Sequence, residues 1–235
     1  AWLYAKGLMQ SDTRNIEQMS NATPDFDYSK IQHFISESTW DARAVFDDLA
    51  RTANLLFQEI KSNLKGESTG LLIDETGIKK AGCESVGVSR QYCGNLGKVE
   101  NSQNLVMAAL SIGAFYTPVD QELFLTEKWA KDKERMENAG IPDERVKKGL
   151  QTKPELAFEM IKRQKDLGVE FDYVAGDGLY GNDVKLLKKI DALNLLFVMA
   201  VHKTQRGDLE KPIYTPPPPK KEGTKGRKAT RSTLT

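Results

Sequence analysis

Residues 70–94 read GLLIDETGIKKAGCESVGVSRQYCG, and this stretch decides the fold. The apolar run 71–73 lies between two glycines, a pattern that is typical of a buried central strand. Asp74 follows the run directly, so the strand ends on a charge that needs a partner. The chain then turns through residues 79–82, and residues 85–89 alternate small polar with apolar residues or Gly, as an antiparallel neighbour would. The stretch therefore predicts a hairpin that presents one carboxylate.

The composition is that of an ordinary globular domain. The chain has 235 residues, of which 39% are hydrophobic and 29% charged, and its mean hydropathy is -0.51. No apolar run approaches the 18 or so residues of a membrane-spanning helix, which excludes a membrane protein of that kind. The N-terminal residues lack the basic and long apolar regions of a secretory signal, so we expect a cytoplasmic protein. No GxxxxGK[ST] pattern is present, which argues against ATP-driven chemistry.

The charges are unevenly distributed along the chain. Residues 1–65 hold seven basic and nine acidic side chains, whereas residues 203–231 hold nine basic and three acidic ones. A basic segment at one end suits a contact with nucleic acid, and a solvated tail explains the same charges equally well. Because residues 216–219 are four prolines, we predict that residues 204–235 are extended or disordered.

The first 65 residues predict a helical N-terminal domain. Ser11 or Asp12 and then Asp27 are N-cap candidates for two short helices, and Ser38 or Thr39 opens the longest one. In that helix we expect one apolar stripe to face the core; its members are Val45, Leu49 and Leu56, with Phe46 and Ala53 beside it. A dimerising or structural domain and a DNA-reading one both remain open for this segment.

Residues 66–203 predict a mixed sheet flanked by helices. The predicted elements are an apolar strand at 104–111 that continues through 115–125 past a bend, a charged helix at 127–138, a helix from Pro154 to about Leu167, a strand at 171–176, a helix at 184–193 and a strand at 195–201. Three strands with short connections indicate an antiparallel meander, and the later alternation of strand and helix indicates parallel crossover units.

Two carboxylates stand out as candidate metal ligands. Asp74 and Asp177 each follow an apolar strand, and the first strand and the strand that begins the crossover units are expected to be neighbours. Hard oxygen ligands on rigid strands are what Mg²⁺ or Mn²⁺ requires, and two such ions can clamp the oxygens of a phosphoryl displacement. The alternative is that both residues end strands as turn formers, as Asp often does.

Several motifs, taken together and in order, carry a family resemblance. The segments LLIDETG, SVGVSRQYCGNLGKVENSQ, TKPELAFEMI and YVAGDGLYGND, with ISESTWDARAVFDDLA in the N-terminal helices, resemble the DDE-type insertion-sequence transposases of the DDE superfamily endonuclease group. The resemblance covers nearly the whole chain. It implies an RNase H-like fold, Mg²⁺ or Mn²⁺ as cofactor, and catalytic roles for Asp74 on the first strand and Asp177 on the fourth.

The chain departs from that family at two points. Relatives often carry a second Asp after the first, and Glu75 occupies that position here. The family also needs a third acidic residue on a helix after the fifth strand, and the only carboxylates there are Asp208, Glu210 and Glu222, none of which lies in a helical pattern. We therefore expect an incomplete catalytic core, from a fragment or a decayed copy, and a chain that does not cleave DNA by itself.

Basic side chains near the ends of the catalytic region are candidate DNA contacts. Phosphates attract Lys and Arg without regard to base sequence, and such binding weakens with salt. The candidates are Lys79, Lys80 and Arg90 in the opening stretch, and Lys220, Lys221, Arg227 and Lys228 in the tail.

Three functions remain in competition. A transposase would bind element ends and target DNA as a homodimer at the nucleoid. A non-catalytic remnant would bind DNA or dimerise without cutting. A metal-dependent phosphohydrolase with Asp74 as nucleophile would place a second Asp two residues on, where this chain has Thr76.

Overall fold

A mixed six-stranded sheet lies at the centre of the structure, a computed structural model that describes residues 2–39, 41–205, 214–215 and 233–234. Its strands are β1 (Gly70–Lys79), β2 (Ser89–Cys93), β3 (Lys98–Ile112), β4 (Phe115–Phe124), β5 (Tyr173–Gly176) and β6 (Leu196–Met199). β3 lies between β1 on one side and β2 and β4 on the other, and these pairings are antiparallel. β5 pairs in parallel with β1, and β6 pairs in parallel with β5. The predicted mixed sheet is confirmed.

The described residues include ten α-helices. They are α1 (Trp2–Gln10), α2 (Ile16–Ala22), α3 (Tyr28–Ser36), α4 (Ala42–Asn63), α5 (Glu127–Ala130), α6 (Lys133–Asn138), α7 (Asp143–Lys148), α8 (Lys153–Asp166), α9 (Gly178–Gly181) and α10 (Val184–Ala192). In the part of the chain that is described, no helix is long and apolar enough to cross a membrane.

Helix starts follow local capping chemistry. Asp27 caps α3 as predicted, and Thr152 and Glu155 form a capping box at the start of α8. The other predicted starts were wrong because nearby side chains cap better: Asn15 caps α2, and Asp41 caps α4 by accepting a bond from the Ala44 amide at 3.0 Å. The predicted helix at 127–138 is split into α5 and α6, because Asp132 caps the second of them.

The main core lies on one face of the sheet. Along β3 every second residue from Ser102 to Ile112 is buried, and the residues between them are only partly covered. The cluster built on this face combines buried side chains of β1, β3, β4 and β5 with those of α4, α8 and α10. On the opposite face the side chains between β3 and β6 are half-buried or exposed; these are Leu72, Met107, Ala109, Ala175, Leu196 and Val198. Around β1 and β5, the described helices therefore cover only one face of the sheet.

Three strand predictions need correction. β2 does not pair with β1, because the 15-residue β3 lies between them and takes both as partners. Asp74 lies in the middle of β1 rather than at its end, since β3 continues to pair with β1 as far as Lys79. The chain turns back after Gly113 instead of continuing, so β4 is a separate strand and β5 is the fifth in chain order.

The N-terminal helices divide into two groups by their packing. α1, α2 and α3 have their own apolar cluster, centred on the buried Met19 and Ile31. α4 instead joins the sheet core through Ala50, Ala53 and Phe57, although the predicted domain boundary at residue 65 placed it with the others. The predicted stripe was wrong: Val45, Leu49 and Leu56 are exposed. Ala50 and Ala53 face the sheet because small side chains let the helix approach it closely.

Little of the C-terminal segment is described. β7 (Tyr214–Thr215) pairs antiparallel with β8 (Thr233–Leu234). Apart from this pair and residues 204–205, the predicted extended or disordered segment 204–235 lies outside the described residues, as do its basic candidates.

A buried carboxylate fastens two helices to the sheet. The register of β4 against β3 shifts between Ala108 and Ala109, so Val119 and Asp120 are buried in succession at a β-bulge. Asp120 is 0% exposed and accepts bonds from Arg43 of α4 at 2.8 Å, from Arg163 of α8 at 2.8 Å and from Gln164 at 3.0 Å. No sequence pattern predicted this cluster, because the partners of Asp120 lie 43 to 77 residues from it in the chain.

A second carboxylate sets the register between β1 and β5. The Asp172 amide donates to the Thr69 carbonyl at 2.7 Å, and the Thr69 amide donates to the Asp172 carboxylate at 2.7 Å. Lys61 at the end of α4 binds both oxygens of the same carboxylate, at 2.8 and 2.6 Å. The hydrogen bond from Lys61, with that from the Thr69 amide, lowers the pKa of Asp172 below its ordinary value. The residues that follow, Gly70 and Tyr173, form the first pair of the parallel ladder.

We predict that Asp120→Ala lowers the free energy of unfolding by about 3–5 kcal/mol, because two arginines lose a buried partner. Urea denaturation checks the value. Asp166→Ala is the control: Asp166 pairs with Lys162 at the surface, where its side chain is 60% exposed, so we expect a change below about 1 kcal/mol. Equal effects of the two substitutions would contradict the role given to Asp120.

We predict that Asp172→Asn destabilises the chain at neutral pH and that this difference shrinks in acid. The pKa of Asp172 is lower in the folded chain than in the unfolded chain. The stabilisation that its charge provides is therefore complete above the unfolded-state pKa of about 3.9, and it is lost as the pH falls through the folded-state pKa. Thermal unfolding of both proteins from pH 7 to pH 2 measures the difference. A gap that stays constant below pH 4 would show that the charge of Asp172 is not what stabilises the pairing.

Candidate active site

The parallel pairing of β1 and β5 brings the two predicted carboxylates together. The last pair of that ladder is Ile73 with Gly176, and Asp74 and Asp177 are the next residues on their strands. Neighbouring strands lie about 4.8 Å apart, so the two backbones are close at this level. The two residues lie at the middle of the sheet, because β1 and β5 are its central strands.

Both carboxylates belong to the face of the sheet that is opposite the helices. Side chains alternate along a strand, Ile73 is buried under the helices, and Asp74 is exposed. Asp177 is also exposed, and its backbone remains extended at φ -78° and ψ -173°. It caps α9 by accepting a bond from the Leu179 amide at 2.8 Å, while Asp74 accepts one from the Glu75 amide at 2.8 Å. Within the described residues, the second carboxylate oxygen of Asp74 and that of Asp177 accept no hydrogen bond, so they can bind a ligand.

The Gly-rich segment around Asp177 allows the chain to turn back against β6. A Cβ on Gly181 would lie 1.8 Å from the Ala200 carbonyl oxygen, so only Gly fits between α9 and the end of β6. A Cβ on Gly178 would meet the ring of His202 at 2.8 Å. These close approaches explain why GDGLYGND needs its glycines, and they fix the turn that carries Asp177.

Glu75 faces the helix-covered side, directly behind Asp74. One of its oxygens accepts a bond from Lys153 of α8 at 2.9 Å, and the other accepts one from the Tyr180 hydroxyl at 3.1 Å. Burial, and then the charge of Glu75, raises the pKa of Tyr180 above its ordinary value, so the hydroxyl stays a donor. The sequence alone indicates only that a charge follows Asp74; the alternation of side chains along β1 is the signal that places Glu75 on the other face.

The chemistry of the two carboxylates fits part of a divalent metal site. Asp74 and Asp177 are hard oxygen donors of the kind that Mg²⁺ and Mn²⁺ prefer. Within the described ranges, no group of three or more His, Cys, Asp or Glu side chains is arranged to hold a metal ion. The third acid that the resemblance requires is not identified among the described residues, and Asp208, Glu210 and Glu222 lie outside them.

The basic candidates that are described lie at the far end of the sheet. Lys79 pairs in register with Ser102, and Arg90 pairs with Asn101. They are five to six residues along the strands from the level of Asp74, or roughly 17–20 Å, so Arg90 does not lie beside Asp74. Lys79 lies 3.6 Å from Glu100, whereas Arg90 is exposed.

Comparison with known proteins gives the family. The profile of the family described as DDE superfamily endonuclease matches residues 3–234. A protein described as a probable transposase for insertion sequence element IS701, from Microchaete diplosiphon, is 34% identical over 174 residues, which cover 73% of this chain. The matched region is 40% of that relative's length. No solved structure gives a significant match.

The sequence match and the fold agree. The mixed sheet, with the first Asp on β1 and the second after the neighbouring β5, is the RNase H-like architecture that the resemblance implied. The chain belongs to the DDE superfamily endonuclease family of insertion-sequence transposases.

Proposed function

We propose that this chain carries two carboxylates of a transposase centre that cuts and joins DNA at the ends of an insertion sequence. The observation that supports this most strongly is the register of β1 and β5, which makes Asp74 and Asp177 neighbours on the uncovered face. An exposed pair of carboxylates on rigid central strands is otherwise costly, because the two charges repel each other. A bound cation and a DNA phosphate would explain why the pair is there.

The proposed roles follow from the geometry of the pair. Asp74 and Asp177 would hold Mg²⁺ or Mn²⁺, which when bound polarises a phosphoryl oxygen of the DNA backbone. The Leu179 amide fixes one oxygen of Asp177 and leaves the other for the ligand. The open face gives a DNA strand access to the site. Water, and then a DNA 3′-hydroxyl, would be the nucleophile, so no covalent bond to the chain is needed.

DNA contacts away from the site form the second part of the proposal. Lys79, Lys80 and Arg90 lie roughly 17–20 Å from Asp74, which is about five to six nucleotides along a strand at 3.4 Å each. They would bind backbone phosphates on that side of the scissile bond, and the tail residues Lys220, Lys221, Arg227 and Lys228 would add sequence-independent affinity. An element has two ends, so a homodimer acting in the cytoplasm at the nucleoid is part of this proposal.

A DNA-binding protein that does not cut is the second candidate function. It is supported by the presence of only two carboxylates at the site within the described ranges. The phosphohydrolase is not supported, because the position two residues after Asp74 is Thr76, whose hydroxyl accepts a bond from Asn95 at 3.2 Å.

We predict that Asp74→Asn and Asp177→Asn each weaken Mn²⁺ binding by at least about tenfold, because each removes one unit charge next to a divalent ion. Electron paramagnetic resonance of free Mn²⁺ measures the affinity. Asp183→Asn is the matched control: Asp183 also caps a helix, α10, through the Leu186 amide, and Asn retains capping ability. We expect Asp183→Asn to bind Mn²⁺ as the unmodified chain does. Equal affinities of all four proteins would contradict the site.

The same samples test cleavage. We expect the 235-residue chain to show no Mg²⁺-dependent nicking of plasmid DNA, because a third carboxylate is not present at the described site. Nicking that disappears in Asp74→Asn would contradict this expectation and would show that the chain contains a complete site.

We predict that DNA affinity falls with salt and that Arg90→Ala reduces the slope of log K against log salt concentration by about 0.9, the value for one lost phosphate contact. Lys79→Ala should change the slope less, because Glu100 already neutralises part of its charge. Lys162→Ala, a surface substitution on α8, is the control. Filter binding across a salt series measures the slopes; an unchanged slope in Arg90→Ala would remove Arg90 from the interface.

A further inference from the structure

Glu75 is a partly buried charge that the proposed chemistry does not use. It follows Asp74 in β1 and pairs in register with the buried Val106, on the face covered by helices. Its side chain is 21% exposed and that of its partner Lys153 is 16% exposed. Burying two charges costs free energy unless their geometry and hydrogen bonds are good, so this pair needs an explanation.

The contacts of Glu75 lead to the backbone that carries Asp177. The Tyr180 ring is 0% exposed, and its hydroxyl donates to Glu75 at 3.1 Å. Tyr180 is three residues after Asp177, in the single turn of α9, where the Tyr180 and Gly181 amides donate to the Asp177 carbonyl at 3.2 and 2.9 Å. A fixed Tyr180 therefore fixes the turn, and with it the cap that orients Asp177.

Lys153 holds the other oxygen of Glu75 from the first residue of α8. The capping box at Thr152 fixes the start of that helix, and the Lys153 ammonium lies 5.7 Å from the centre of the Phe124 ring. The positive charge of Lys153 offsets the cost of burying the Glu75 carboxylate on this face, and the ion pair limits the movement of Glu75. Glu75 is thus held from two sides, and Asp74 is the adjacent residue of the same rigid strand.

We propose that Glu75 is a positioning residue for the candidate metal centre: it anchors Tyr180, and through α9 it holds Asp177 at a set distance from Asp74. This inference rests on the proposed function for the metal centre, but the contacts themselves do not. Glu75 does not touch the ion, because its side chain leaves β1 on the face opposite Asp74.

The test compares Tyr180→Phe and Glu75→Gln in the whole chain. Tyr180→Phe removes one hydroxyl and keeps the ring, so the core stays filled. We expect each substitution to weaken Mn²⁺ binding about 3- to 10-fold, which is less than the 10–100-fold typical of groups bonded directly to a metal ligand. Because both act through one hydrogen bond, the double variant should weaken binding no more than the stronger single one.

A second readout does not depend on metal. In Tyr180→Phe we expect the Leu179 and Gly181 amides, which bind Asp177, to exchange with solvent about 5- to 10-fold faster, as loss of one hydrogen bond implies. Nuclear magnetic resonance of the metal-free chain measures this exchange.

Two matched controls separate positioning from general stability. Tyr173→Phe alters a tyrosine at the other end of β5, and Glu122→Gln breaks an ion pair with Arg163 in which Glu122 is 23% exposed, close to the value for Glu75. We expect both controls to keep the Mn²⁺ affinity and the exchange rates of the unmodified chain, whatever their melting temperatures.

The outcomes distinguish this inference from the proposed function. Unchanged exchange at Leu179 and Gly181 in Tyr180→Phe overturns the positioning role. Additive losses of Mn²⁺ affinity in the double variant also overturn it. If the unmodified chain binds no Mn²⁺, the proposed metal centre is contradicted. Faster amide exchange in Tyr180→Phe would in that case still support the inference that Glu75 fixes the α9 turn through Tyr180.

Discussion

The pairing of Thr69 with Asp172 is the constraint on which the candidate site depends. These two residues exchange hydrogen bonds at the point where β1 and β5 begin, and Lys61 holds the same carboxylate from α4. Side chains alternate with a period of two along a strand, so a shift of one residue would move Asp177 to the face that the helices cover. The next four pairs of the ladder carry this register to Ile73 and Gly176, and the two carboxylates follow. A contact five residues away thus decides whether the site exists.

α8 supplies the charges that allow two carboxylates to lie on the helix-covered face. Its first residue, Lys153, binds Glu75, and Arg163 and Gln164 in its last turn bind Asp120. The apolar side of the same helix, including Leu156 and Met160, fills the core between these two contacts. One helix therefore both covers the sheet and fixes it at two levels, one behind Asp74 and one at the bulge of β4.

The sequence predicted those parts of the fold that depend on local patterns. The apolar run before Asp74, the cap at Asp27 and the Pro-containing start of α8 each follow from residues close together in the chain, and the structure has an element at each place. The neighbouring positions of Asp74 and Asp177 were also predicted, because connection rules restrict how a meander and a crossover unit share a sheet.

The predictions that were wrong depend on contacts between distant residues. The partner of β2 was misjudged because only the length of β3 shows that it pairs on both sides. The face of α4 was misjudged because its larger apolar residues were taken as the core, whereas Ala50 and Ala53 face the sheet and Arg43 reaches Asp120. Periodicity shows that a helix is amphipathic, but the ion pair between Arg43 and Asp120 determines which side of α4 faces the sheet.

The arrangement around Asp74 also limits how a third carboxylate can complete the centre. On the helix-covered side the space behind the two carboxylates is occupied by Ile73 and Tyr180, which are 3% and 0% exposed. Glu75 cannot turn to the ion without giving up both Lys153 and Tyr180. In the proposed metal centre, a third ligand would therefore have to approach from the uncovered face. On that face the β6 side chains Leu196 and Val198 are 66% and 60% exposed, so a segment that brings the ligand would also cover apolar surface, and this burial would favour the completed site.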